Sequence, residues 1–244
     1  MKLNKLIAIA TISLLSGGIS MAQKALNLED IVAGNIIQTK GIGSMTWLKD
    51  GERYSRLENN KQTGGTDIVA YRAKDNSREV IIPSSLLTDK STGRPIPVRS
   101  VSWSADNEKV LIYNNTRRVW RYDTRGDYWV LNLKDGALRQ LGKGMPESSM
   151  MFAKFSPDGT RVAYVSNNNI YVEDIDSGKI TQLTKDGSDT IVNGTFDWVY
   201  EEEFSCRDGF RWSPDGKHIA YWQSDTKGTG VFDIINNVDS IYAK

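Results

Sequence analysis

Apolar and polar positions alternate in short runs along most of the chain, and four of these runs share one pattern. The segments 45–51 (MTWLKDG), 101–107 (VSWSADN), 153–159 (AKFSPDG) and 210–216 (FRWSPDG) each set an aromatic residue ahead of a turn. The aromatic anchors are Trp47, Trp103, Phe155 and Trp212, spaced 52–57 residues apart. Pro157 and Pro214 pre-set φ at the corner, the aspartate bonds the backbone ahead of it, and glycine tolerates positive φ. A second alternating run follows in the last three copies, at 109–113, 161–165 and 218–222, so each copy predicts a hairpin.

Further strands complete the unit. In the third copy, residues 169–175 form another alternating run, 176–178 (DSG) turn the chain, and 179–184 supply a fourth strand. The second copy matches, with strands at 127–133 and 137–141 around the turn Lys134-Asp135-Gly136. Four strands in a repeat of roughly 50 residues describe a β-propeller blade. The pattern predicts an all-β chain with about three four-stranded blades and part of a fourth, a partial β-propeller spanning 23–244. Such a partial ring exposes sheet edges and apolar faces, so the isolated fragment is expected to be oligomeric or poorly soluble.

The first residues stand apart. Lys2 and Lys5 give a basic start, 6–15 is apolar but too short to span a bilayer, and Ser20-Met21-Ala22 ends in small residues. This predicts a signal peptide over 1–22, cut after Ala22, and a periplasmic or secreted protein with no membrane attachment after cleavage. Composition narrows the function. With 31 Lys+Arg against 30 Asp+Glu, nothing points to nucleic acid. One cysteine, Cys206, excludes an internal disulfide and a multi-cysteine metal site, and is expected to be a partly buried lone thiol. The single histidine, His218, falls in an expected strand just after a turn, where a half-exposed structural role fits.

One connection is long. About 25 residues separate Thr184 from Phe210, and loops of that length tend to carry function. Here Asp197 caps a short helix carrying Glu201, Glu202 and Glu203, with Glu202 and Glu203 about 100° apart on it. Three adjacent carboxylates suit either a solvated helix start or a bound cation. The aromatic residues Phe196, Trp198, Tyr200 and Phe204 are expected to hold the segment in place.

The run Asp197-Trp198-Val199-Tyr200-Glu201-Glu202-Glu203, followed by FRWSPDG at 210–216, resembles the dipeptidyl peptidase IV family of serine exopeptidases, and the likeness extends from Leu28 to the end. Members of that family join an eight-bladed propeller to an α/β-hydrolase domain and remove dipeptides from peptide N-termini, typically after proline or alanine; prolyl tripeptidyl peptidases are close relatives. The resemblance implies that Glu202 and Glu203 bind the substrate α-ammonium. It also implies that Arg121, in Val119-Trp120-Arg121-Tyr122-Asp123, contacts a substrate carbonyl and the glutamate pair, with Arg117, Arg118 and Arg125 as neighbouring competitors. A homodimeric full-length enzyme, no cofactor and no metal are implied as well.

The hydrolytic machinery of that family needs a Gly-x-Ser-x-Gly nucleophile elbow with a later Asp and His, and no such elbow occurs here. No catalytic residue is therefore assigned, and this chain alone is expected to be inactive without a hydrolase domain. The expected role is the N-terminal propeller portion of a dipeptidyl peptidase IV-like enzyme. The alternative is a free-standing extracytoplasmic propeller that binds a partner or acts as a scaffold.

Overall fold

The structure, a computed structural model, describes residues 27–32, 41 and 43–231. The expected signal peptide lies outside the described residues. The chain divides into two units, Met1–Ile42 and Gly43–Lys244. In the first, the described residues include the short helix α1 (Leu28–Val32).

The second unit contains three four-stranded antiparallel sheets, each an up-and-down meander. The first comprises β1 (Thr46–Trp47), β2 (Arg53–Asn59), β3 (Thr66–Arg72) and β4 (Arg78–Ile82). A 3-10 turn at Ser84–Leu87 and a small hairpin of β5 (Thr88–Asp89) and β6 (Arg94–Pro95) follow. The second sheet holds β7 (Ser100–Trp103), β8 (Lys109–Arg117), β9 (Arg125–Asn132) and β10 (Leu138–Gln140). The third holds β11 (Met151–Phe155), β12 (Arg161–Ser166), β13 (Asn169–Asp174) and β14 (Ile180–Gln182). Beyond it come β15 (Ile191–Asn193), helix α2 (Trp198–Phe204), β16 (Phe210–Trp212), β17 (Ile219–Tyr221) and β18 (Gln223–Asp225). The strands expected in the second and third repeats thus form, with ends shifted by a few residues.

Alternation explains the stacking. Successive side chains of a strand point to opposite faces, so a strand that is apolar throughout needs a neighbour on both sides. In β8, Val110 and Ile112 join Ile68, Ile82, Leu87 and Leu131 in one core, while Leu111 points the other way. Leu111, Tyr128 and Val130 then meet Val162 and Tyr164 of β12 in a second core. The other apolar β12 residues, Ala163 and Val165, pack on Met151, Ile170 and Phe210 in a third. Each aliphatic side chain buried this way contributes about 1.5–3 kcal/mol. The tryptophan anchors reinforce the stack: Trp103 Nε1 donates to Ser55 Oγ at 3.1 Å and Trp212 Nε1 to the Lys154 carbonyl at 3.3 Å.

Two features of the repeat exceed what its spacing predicts. In all three sheets the second and third strands oppose a tyrosine to a tyrosine, Tyr54 to Tyr71, Tyr113 to Tyr128 and Tyr164 to Tyr171. The rings stack with centroids 5.7, 4.8 and 5.8 Å apart. The second feature is the serine before the turn. Ser156 Oγ donates to Asp158 Oδ1 at 2.5 Å and accepts the Arg161 N–H at 3.0 Å, and Ser104 and Ser213 repeat both bonds. The serine, not the aspartate alone, closes the hairpin.

This network yields a prediction. Ser156 is 1% exposed. Ser156→Ala strands the Arg161 N–H and is expected to destabilise the protein by about 1–3 kcal/mol in urea unfolding, more than Ser213→Ala at its more open site. The Ser156 hydroxyl and the Thr160 N–H hold the Asp158 carboxyl at about 2, below its ordinary 3.8. That contribution is complete above about pH 4 and fades as pH falls toward 2. The stability gap between the wild type and Asp158→Asn is expected to narrow over the same interval.

Candidate functional site

The long connection is an excursion with a tied neck. Thr195 and Asp208 form an antiparallel bridge, and Thr195 Oγ1 donates to the Arg207 carbonyl at 3.1 Å. Residues 184–210 are not loop throughout, because β15 pairs with β18, Asn193 facing Gln223. A three-residue run such as Ile191–Asn193 is too short for alternation to show it. Between the two ends of the neck stands α2. Asp197 caps it as expected, its Oδ1 accepting the Tyr200 N–H at 3.1 Å, and Ser205, with φ 52°, ends it in the left-handed region.

The aromatic frame forms in part. Phe196 stacks on Tyr200 at 5.0 Å, Tyr200 meets Phe204 at 5.5 Å, and Phe196 also reaches Trp222 at 6.0 Å. Tyr200 and Phe204 are four residues apart on α2 and so share a face, which Phe196, just ahead of the cap, extends by stacking on Tyr200. Trp198 lies off that face, is exposed, and does not join the frame.

The three glutamates have three environments. Glu201 is buried, and its Oε1 accepts the backbone N–H of Arg121 at 3.2 Å. Glu202 Oε2 lies 2.5 Å from Nε of Arg121, with only 7% of the glutamate side chain exposed against 70% of the arginine. Glu203 is exposed, and its side chain makes no hydrogen bond or ion pair among the described residues. Of the sequence candidates, the structure therefore joins Arg121 to Glu202 and leaves Glu203 open beside them. Glu201 was not singled out, and three consecutive identical residues carry no signal that would separate it.

Arg121 sits on the loop between β8 and β9, not on a strand. The loop is anchored from below by Tyr113, whose hydroxyl donates to the carbonyls of Asp123 at 2.6 Å and Arg125 at 2.9 Å. Burial pushes this phenol above its ordinary pKa. Gly126 lets the ring pass, because a methyl group there would overlap Tyr113 and the Asn114 carbonyl. From the other side, the Arg207 guanidinium lies 4.0 Å from the Tyr122 ring centroid. The competing arginines are placed differently: Arg117 and Arg125 lie on strands, and Arg118 Nε donates to the Trp120 carbonyl at 2.9 Å.

Lys154 braces the neck. Its Nζ is 2.5 Å from Asp208 Oδ1, 2.9 Å from the Phe210 carbonyl and 3.6 Å from the Phe210 ring centroid. Cys206 is half-buried, its thiol 3.4 Å from the Phe204 carbonyl. His218 is exposed and precedes β17. Among the described residues no cluster of metal-ligating side chains occurs, and no helix is long and apolar enough to cross a membrane.

The family model of the dipeptidyl peptidase IV N-terminal region matches residues 104–244. The chain belongs to this family. Among its relatives, a probable dipeptidyl-aminopeptidase B of Chaetomium globosum is 36% identical over 135 residues, covering 55% of this chain and 15% of that protein. One of Aspergillus terreus is 28% identical over 220 residues, covering 86% of the chain and 24% of the relative. The crystal structure of Porphyromonas gingivalis dipeptidyl peptidase 4 superposes with a TM-score of 0.69 at 26% identity, over 83% of this chain and 28% of that one. The chain thus spans about a quarter or less of the length of these curated relatives. The family and the superposition support a β-propeller architecture for these antiparallel sheets.

Burial depresses the Lys154 amine to about 8 from its ordinary 10.5, outweighing the attraction of Asp208. Between those values the unfolded chain holds a proton that the folded chain has lost, so stability rises with pH across that window. Unfolding measured from pH 8 to 10.5 is expected to show this slope, and Lys154→Met to flatten it.

Proposed function

We propose that the chain is the N-terminal propeller portion of a dipeptidyl peptidase IV-like serine exopeptidase, and that Arg121, Glu202 and Glu203 receive the free N-terminus of its peptide substrate. The contact of Arg121 with Glu202 carries this reading. It joins two residues 81 positions apart and fixes one carboxylate while the next in sequence remains open. A peptide α-ammonium has three N–H donors, and two carboxylates side by side offer it charge-assisted hydrogen bonds. The Arg121 fork orients Glu202 and keeps a donor edge exposed toward a substrate carbonyl. Gripping the terminus sets how many residues extend past it, which makes the site a length gauge for dipeptide release after proline or alanine.

The same electrostatics excludes wrong substrates. An acylated terminus brings no positive charge and leaves the carboxylates uncompensated. Hydrolysis itself is assigned to no residue of this chain. The basic, apolar start and Ala22 support export to the periplasm or beyond, where oligopeptides are available as substrates.

The test compares alanyl-proline amide with its N-acetyl form by calorimetric titration. The free amine is expected to bind and the acetylated form not to. Glu202→Gln and Glu203→Gln should each weaken binding about tenfold or more, the range of one charge-assisted hydrogen bond. Equal binding of both peptides, or no loss in either variant, would refute the assignment.

A further inference from the structure

We infer that Glu201 is the positioning residue of this site: it takes no ligand itself but holds the Arg121 loop so that the arginine side chain meets Glu202. The inference rests on the ammonium-binding reading above and assigns separate tasks to three adjacent carboxylates.

The geometry separates them. Exposure rises along the run, from Glu201, 4% exposed, through the enclosed Glu202 side chain to the open Glu203. At about 100° per residue, Glu203 lies roughly 200° around the helix from Glu201, so the two cannot serve the same ligand face. The Glu201 carboxylate pairs with no cation among the described residues; its described bond is the one accepted from the Arg121 main chain. A buried carboxylate with a single main-chain donor is costly unless it serves the fold, and its place in the first turn of α2 eases that cost.

The consequence is a two-point attachment. The backbone nitrogen of Arg121 is fixed on Glu201, and its Nε on Glu202. Two contacts from adjacent residues of one helix define both position and direction of the guanidinium. Arg207 on the Tyr122 ring supports the same loop one residue further on. An acceptor oxygen at 201 is required for this task, whereas a negative charge is not.

Hydrogen–deuterium exchange on the full chain tests the assignment. Glu201→Ala is expected to speed exchange of residues 118–124 about tenfold or more, with β11–β14 unchanged. Glu201→Gln, whose amide oxygen still accepts the Arg121 N–H, should stay within about threefold of wild type, and Glu203→Ala should leave 118–124 unaffected. Unchanged exchange of 118–124 in Glu201→Ala overturns the inference. So does loss in Glu201→Gln equal to that in Glu201→Ala, whether or not the sheet also loosens. If Glu201→Ala loosens the sheet, retention in Glu201→Gln is the supporting result. Titration of the same variants with alanyl-proline amide separates the two readings: the exchange pattern stands on the loop contact alone, while indifference of binding to acetylation would sink only the ammonium reading.

Discussion

The structure depends on strands that are apolar on both faces. Val110 and Ile112 face one neighbour and Leu111 the other, and Val162 with Tyr164 and Ala163 with Val165 repeat the arrangement one sheet later. No such sheet can stand alone in water, because burying one face leaves the other exposed. Stacking is therefore obligatory, and it brings the hairpin loops of successive sheets close together. A loop of the second sheet and an excursion beyond the third can meet because the apolar faces between them have already been matched.

At that meeting point, electrostatics takes over from packing. The excursion carries three consecutive carboxylates, which would repel one another if all were bare. One is buried on a backbone N–H, one is paired with Arg121, and one faces solvent. The neck below them is held by Lys154 on Asp208 and by the Phe196–Tyr200–Phe204 ladder. The charged residues thus stand on a base of aromatic and main-chain contacts, and the helix that presents them needs only seven residues.

Much of this was legible in the chain. The turns at 104–107, 156–159 and 213–216 announce themselves because the backbone geometry calls for an aspartate followed by a residue that accepts positive φ, Asn107, Gly159 or Gly216, and the flanking strands follow from period two. The acidic segment was visible from its length and its cap at Asp197. What escaped has a physical reason in each case. The serine hubs bond a backbone five residues on, which no local propensity encodes. The pairing of Ile191–Asn193 with Gln223–Asp225 joins segments too short to show alternation. The burial of Glu201 is set by a partner 80 positions away, and Trp198, placed in the frame by its type, falls off the shared face of Phe196, Tyr200 and Phe204.

The tyrosine pairs differ in one respect that matters for the site. In the first and third sheets a ring of the pair donates its hydroxyl to a side-chain carboxylate, Tyr71 to Glu58 and Tyr164 to Glu173. In the second sheet Tyr113 donates instead to two peptide carbonyls of the arginine loop. A peptide oxygen takes up no proton at any pH the fold survives. The arginine loop is therefore fastened at Asp123 and Arg125 by bonds that need no ionised partner, so its main chain keeps a fixed course whatever charges gather around its side chain.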